Sequence, residues 1–241
     1  PRFRTAGVLR PRQGAADETG LPKATVSRLT STLAQLGYLR VDETTRKYTV
    51  GARVLSLGSL LMHQSGLQQV AREPMRRLAQ ELDVSVLLAT RQQLAMLLLE
   101  LVRPPHSSVT INKQAGDLLS MDTTSLGLAY LVAAPTAERV KILAALQRAQ
   151  LVEWTSYRAD VERAHQEYRE HGFVVSRRVR GGVLGAVAVP IVLDTDVFVL
   201  SCAGPAAQFT RARTAGRIGP RMVEVVREIR AAMKAQGAGA A

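Results

Sequence analysis

Cysteine is almost missing from this 241-residue chain: Cys202 is the only one. A lone thiol closes no internal disulfide, which excludes a disulfide-stapled scaffold and fits a reducing compartment. Aromatic residues are scarce too, at 4%, so any core must be built mainly from aliphatic side chains. No apolar run reaches the roughly 18 residues that a membrane span requires, and no signal-peptide pattern opens the sequence. The expected location is therefore cytoplasmic, with no membrane partner.

Signatures of chemistry are absent as well. The four histidines, His63, His106, His165 and His171, lack metal-ligand spacing; the last two are six residues apart and fall on different faces of a helix. No G-x-S-x-G elbow, P-loop or H-E-x-x-H occurs. Gly181, Gly182 and Gly185 precede an apolar strand and not a helix, which predicts a turn and not a phosphate cradle. Asp194 and Asp196 sit between two strands and also read as a turn. No metal, cofactor or catalytic residue is expected, and the chain is not expected to be an enzyme.

What is present is a globular composition, 46% hydrophobic and 22% charged, carrying a net charge of +12. Such a surplus favours an anionic partner, nucleic acid or an acidic surface, and says nothing of the fold. It is unevenly placed. Residues 1–60 hold ten Lys and Arg against four Asp and Glu, so half of the surplus lies in a quarter of the chain.

The pattern divides near residue 60. A connecting helix is expected over about 53–64, with Val54, Leu57 and Leu61 on one side, and a second over 68–82, where Pro74 predicts a kink or a late start. "VSVLLAT" and "LAMLLLELV" flank "RQQ" as a buried hairpin, and "SSVTIN" reads as a further strand. "TTSLGLAYLVAA" and "AERVKILAALQ" read as helices separated by Pro135. Residues 157–171 form a charged amphipathic helix that Gly172 ends in the left-handed conformation. "FVVSR", "LGAVAVPIVL" and "DVFVLSC" are strands, and a last helix runs from Pro220.

The stretch "TGLPKATVSRLTSTLAQLGYLR", residues 19–40, carries the functional signal. At 100° per residue Val26, Leu29, Leu33 and Leu36 share one sector and must pack against something, while Ala24, Ser27, Arg28, Ser31 and Gln35 fall opposite. That short, donor-rich face suits a helix lying in a major groove. Pro22 fits the first turn, and Lys23 and Thr25 beside it would meet phosphate together with free amides. "GAADETG" supplies a short preceding helix ended by Gly20, a helix-turn-helix arrangement. Downstream, Leu39–Val41 and Tyr48–Val50 alternate as a hairpin with Arg46 and Lys47 near its tip. An ordinary amphipathic helix before an ordinary hairpin would share the apolar spacing; it would not explain why the positive charge collects there.

Together with "KYTVGARVLSLG", this stretch resembles the winged helix-turn-helix of the isocitrate lyase regulator (IclR) family of bacterial transcription factors. "MDTTSLGLAYL", "YRADVERAHQEYREHGFVVS", "AVAVPI" and "LSCAGP" extend the resemblance over about residues 15–235. It implies an α+β chain: a winged helix-turn-helix DNA-binding domain over 1–52, a linker helix over 53–66, and a GAF-like effector-binding domain with a central antiparallel sheet over 67–241. It implies a homodimer or tetramer, more often a repressor, whose affinity for double-stranded operator DNA is altered by a small metabolite. The DNA contacts would be Lys23, Ala24, Thr25, Ser27, Arg28, Ser31, Arg46 and Lys47.

For the effector, the resemblance points to Gly116, Asp117, Leu118, Leu119 and Met121 as a pocket wall, and to Ser176, Ala186 (or Gly185), Ser201 and Ala203 where the family places polar side chains. Only the two serines keep a hydrogen-bonding group. Ser176, followed by Arg177 and Arg178, replaces an expected carboxylate, and Ala186 stands where cysteine is frequent. These departures imply a small organic acid that is partly apolar, aromatic or branched, and not a two-carbon acid. One further departure concerns the start: "RTAGVLR" resembles the beginning of the family's first helix, yet Pro11 follows at once and the spacing to Gly20 is several residues short. The competing reading is a metabolite-binding sensor or enzyme-like domain whose N-terminal region no longer binds DNA.

Overall fold

The computed structural model describes residues 8–9, 16–17, 19–45, 47–56, 66–105, 111–149, 153–176 and 184–238. The chain falls into two compact units, residues 1–65 and 66–241.

In the first unit a short helical turn ends at Gly20, whose φ of +67° closes it through a bond from its N–H to the Ala16 carbonyl. Pro22 then supplies the extended N-cap of helix α1, Lys23–Gln35. Strands β2 (Leu39–Val41) and β3 (Tyr48–Val50) form the expected hairpin, and β1 (Val8–Leu9) pairs with β3 on its other side. Val8 and Leu9 thus extend a sheet instead of opening a helix, pairing with Thr49 and Tyr48 at the edge of the hairpin. The tip is pinned by Asp42, whose Oδ1 accepts the N–H groups of Thr44 at 3.0 Å and Thr45 at 2.8 Å. Arg53–Ser56 makes one helical turn; the rest of the expected linker, 57–65, lies outside the described residues.

The second unit is a six-stranded antiparallel sheet with helices on both faces. Helix α2 (Leu67–Leu82) runs through Pro74 without a late start, because the ring removes one amide yet is itself buried with Ala71, Met75 and Leu78. Strands β4 (Ser85–Gln92), β5 (Ala95–Val102) and β6 (Leu118–Ser120) follow, then α3 (Ser125–Ala133), α4 (Thr136–Arg148) and α5 (Trp154–His171). Strands β7 (Val174–Ser176), β8 (Leu184–Leu193) and β9 (Asp196–Pro205) complete the sheet in the order β6-β5-β4-β9-β8-β7. The chain ends in α6, Gly219–Ala238.

Alternation along the strands builds two cores. Val86, Leu88, Val187, Leu200 and Cys202 face α2 and α6; Leu87, Ala89, Leu98, Ala188 and Val199 face α3, α4 and α5. Gly172 ends α5 at φ +79°, and Asp194 turns β8 into β9 at φ +50°, as their sequence context predicted. The strand expected from "SSVTIN" does not extend to Ile111 and Asn112, which are irregular; Ser107–Thr110 lie outside the described residues. Cys202 is buried, and burial pushes its thiol pKa upward, leaving it neutral and inert.

Candidate DNA-reading helix and effector cavity

Helix α1 is held from one side only. Val26 is buried beside Tyr48, the buried first residue of β3, and the Thr30 hydroxyl lies 2.8 Å from the Val26 carbonyl and 3.0 Å from the Tyr48 Oη. Val26, Thr30 and Ala34 therefore form the packed stripe. The leucine sector expected to be buried lies one step further round and stays open: Leu29 is 51%, Leu33 40% and Leu36 44% exposed. The Thr30–Tyr48 bond sets the contact with the hairpin on the Val26 and Thr30 side of the helix, and among the described residues the leucine sector keeps much of its surface open.

The opposite face is unobstructed. Lys23, Ala24, Arg28, Ser31 and Gln35 are exposed and Thr25 and Ser27 half-buried, and none of these side chains makes a hydrogen bond or ion pair to another described residue. Lys47 is exposed beside the hairpin tip; Arg46 lies outside the described residues. Asp42, whose pKa is lowered chiefly by the Thr45 amide and also by Thr44 and Lys47, keeps that tip folded as a carboxylate.

In the second unit a cavity of about 120 Å³ lies between the sheet and the N-terminus of α3. Its floor is made of small residues, Ala186 and Ala203 paired across β8 and β9, with Ser201 beside them and Ser176 paired to Ala186. Leu87, Ile111, Leu119 and Leu184 are the walls. The roof is the start of α3: Thr124 caps it by accepting the Gly127 N–H at 3.3 Å, and Thr123, Ser125 and Leu126 line the space. Five hydroxyl side chains lie here, those of Thr123, Thr124, Ser125, Ser176 and Ser201. Ser125 and Ser201 bond each other at 3.1 Å, and Ser201 donates to the Val187 carbonyl at 3.0 Å. Ser176 is 7% exposed and its Oγ has no partner among the described residues. The lining is otherwise apolar, and the first-turn amides of α3 give its roof a positive end. At Ser176, Gly185 and Ala186 the cavity adjoins a wider open cleft of about 650 Å³ bordered by Arg163, Glu167 and His171.

Residues 60–231 match the family described as the bacterial transcriptional regulator IclR C-terminal domain, and residues 13–43 match the IclR helix-turn-helix domain. The chain belongs to the IclR family. It is 40% identical over 232 residues to the HTH-type transcriptional regulator TsaQ1/TsaQ2 of Comamonas testosteroni, covering 95% of this chain and 84% of that protein. The crystal structure of an IclR-family regulator from Brucella abortus shares 34% identity, covers 96% of this chain and 87% of its own, and superposes with a TM-score of 0.81. An IclR homologue from Microbacterium hydrocarbonoxydans complexed with 4-hydroxybenzoate shares the fold at 22% identity and a TM-score of 0.72, over 95% of this chain and 92% of its own. As an IclR-family protein the chain is a transcriptional regulator with a helix-turn-helix DNA-binding domain and a C-terminal effector domain.

Of the effector residues expected from the IclR pattern, the cavity brings together Leu119, Ser176, Ala186, Ser201 and Ala203, with Gly185 beside them. It does not bring in the other four. Gly116 turns the chain at φ +93°, and Asp117 spends its carboxylate on the Gln114 N–H at 3.0 Å, so both belong to the tight turn before β6. Leu118 is on the outward face of that short strand, where alternation sends its side chain to solvent. Met121 is fully buried in the core, and its carbonyl packs so closely on Gly127 that an added Cβ there would overlap it. Thr123, Thr124 and Ser125 were missed as cavity residues, although Thr-Thr-Ser before an apolar run is a legible helix start. Arg177 and Arg178 lie outside the described residues. Among the described residues no group of three or more His, Cys, Asp and Glu side chains could hold a metal ion, and no helix is long and apolar enough to cross a membrane.

Proposed function

We propose that this IclR-family regulator is a cytoplasmic repressor, not an enzyme, that binds a pseudo-palindromic operator as a homodimer or a tetramer of such dimers and is relieved by an aromatic or branched organic acid. The observation that carries this reading is the open donor face of α1 set against a side anchored to the hairpin. Arg28 would make a bidentate contact to guanine, worth about 1 to 3 kcal/mol of discrimination, with Ala24, Ser27 and Ser31 against neighbouring base edges. Lys23, Thr25, Arg46 and Lys47 would hold phosphates.

The effector's carboxylate would sit under the first-turn amides of α3, where the helix end favours an anion, and accept from the Ser176 hydroxyl, which has no partner among the described residues. Its apolar part would lie on the Ala186 and Ala203 floor between Leu87, Ile111 and Leu119. The dry lining supports an aromatic or branched acid over glyoxylate, whose second polar end would find few partners. The 4-hydroxybenzoate complex belongs to a distant relative; in this chain the mostly apolar lining itself supports such a ligand.

Gel shifts against sequence-selected and scrambled duplexes test the first part: Arg28→Ala should flatten the preference, whereas Lys47→Ala should weaken both duplexes alike. Indistinguishable effects would mean that these roles are misassigned. Calorimetric titration with benzoate, 3-methylbutanoate and glyoxylate tests the second, and tight binding of glyoxylate alone would refute it.

A further inference from the structure

We propose that Arg53 is a positioning residue for DNA recognition, one that sets the axis of α1 by clamping its C-terminal end to the segment that follows the hairpin. The proposal rests on the reading of α1 as the DNA-facing helix.

A helix leaves its last carbonyls without intrahelical partners. Here Arg53 supplies one: its Nη1 donates to the Leu36 carbonyl at 3.1 Å. The same guanidinium lies over the Tyr38 ring, 5.5 Å from its centroid, so it is oriented from two directions at once. The backbone reinforces the grip. The Gly51 N–H donates to the Tyr38 carbonyl at 2.8 Å, the Arg53 N–H reaches the Gly37 carbonyl at 3.4 Å, and Gly51 sits so close to Gly37 that a Cβ would overlap the Gly37 oxygen. Residues 51–53 thus hold the turn at 37–38 from both main chain and side chain.

A second anchor of α1 on the hairpin is the Thr30–Tyr48 pair near its middle. One anchor fixes a point; two fix an axis. With 1.5 Å of rise per residue the first turn lies roughly 10 Å from Thr30, so a tilt of about 10° would carry Lys23 and Ala24 by roughly 2 Å. Hydrogen bonds to base edges do not survive that displacement. The guanidinium is committed to a carbonyl and a ring, and no Asp or Glu neutralises it among the described residues. Its planar, charged form therefore does work that a neutral side chain or an ammonium would not.

The test uses the full chain and a duplex of about 30 base pairs selected by the wild-type protein from a random library, with a scrambled duplex for comparison. Arg53→Gln should lower the ratio of selected to scrambled affinity about tenfold, the scale of losing one base readout, while the dependence of log affinity on log salt keeps its slope. Arg53→Lys should recover little, since an ammonium cannot lie flat on Tyr38 and also donate along the carbonyl. A slope smaller by about 0.9, or full recovery by lysine, would make Arg53 a phosphate contact and overturn the proposal. An unchanged ratio would overturn it too, as would a loss confined to the fraction of active molecules, the mark of a residue needed only for folding. Failure of the wild-type protein to select any sequence would instead remove the DNA-reading assignment of α1, and this proposal with it.

Discussion

The two units of the chain satisfy the same hydrophobic pattern in opposite ways. In residues 66–241 both faces of the sheet are covered, and side chains such as Leu78, Leu88, Met96 and Leu131 are wholly withdrawn from solvent. In the first unit Ala16, Val26 and Tyr48 are the buried apolar side chains among the described residues, and Leu29 and Leu33 of α1, with Leu36 at its C-cap, stay open. Its tight places are backbone on backbone, as at Gly51 and Gly37. The difference follows function: a closed unit can enclose a small molecule, whereas a unit that offers a helix to another molecule must leave most of that helix uncovered. It also locates sensitivity, since core truncations hurt the second unit and hydrogen-bond or backbone changes hurt the first.

The largest effect should come from the sealed core. Leu88→Ala should destabilise the second unit by about 3 kcal/mol, read by denaturant unfolding, while Leu33→Ala in α1 should stay within about 0.5 kcal/mol. An equal cost for both would break the contrast, because it would mean that the leucine flank is covered in solution. Next, Gly51→Ala should cost about 2 kcal/mol through the forced overlap with the Gly37 carbonyl. The same denaturant unfolding should show the second unit unchanged, and a silent substitution would mean that the turn at 37–38 is looser than described.

Smaller effects sharpen the comparison at each candidate site. Ser176→Ala removes a buried hydroxyl without a partner among the described residues and should stabilise the ligand-free protein by about 1 kcal/mol; destabilisation would show that the hydroxyl is satisfied in solution. The smallest effect concerns pH at the hairpin tip. The Asp42 carboxyl titrates below its ordinary value of 3.8 because the Thr45 and Thr44 amides favour the charged form. Its contribution is therefore complete above that value and is lost as pH falls through the lower, folded-state pKa. The Thr44 and Thr45 amide resonances should move together only below pH 3.8, with those of the sheet core unaffected. A midpoint at or above 3.8 would mean that the cap does not form.

Element types were largely legible because local pattern dictates them. The hairpin around Gln93, the strand "LGAVAVPIVL", the helix closed by Gly172 and the turn at Asp194 stand where alternation, apolar spacing and turn chemistry placed them. The donor face of α1 was legible for the same reason, since 100° per residue is a property of the helix and not of its surroundings. The effector residues were less so. A loop's contribution to a cavity depends on which side chains of a three-residue strand turn inward, and the resemblance could not tell Leu119, which lines the space, from Leu118, which faces solvent.

By itself the sequence determined the class of most elements, the concentration of positive charge near the amino end and the side of α1 that carries donors, all consequences of residue chemistry at fixed periodicity. Tertiary structure alone decided that Val26 is buried and Thr30 bonded to the hairpin while the leucines stay open. It alone set Thr123, Thr124 and Ser125 over Ser176, Ala186, Ser201 and Ala203, and brought Arg53 back to the carbonyl of Leu36. These are contacts between residues distant along the chain. They depend on the register and packing of whole elements, which no local rule contains.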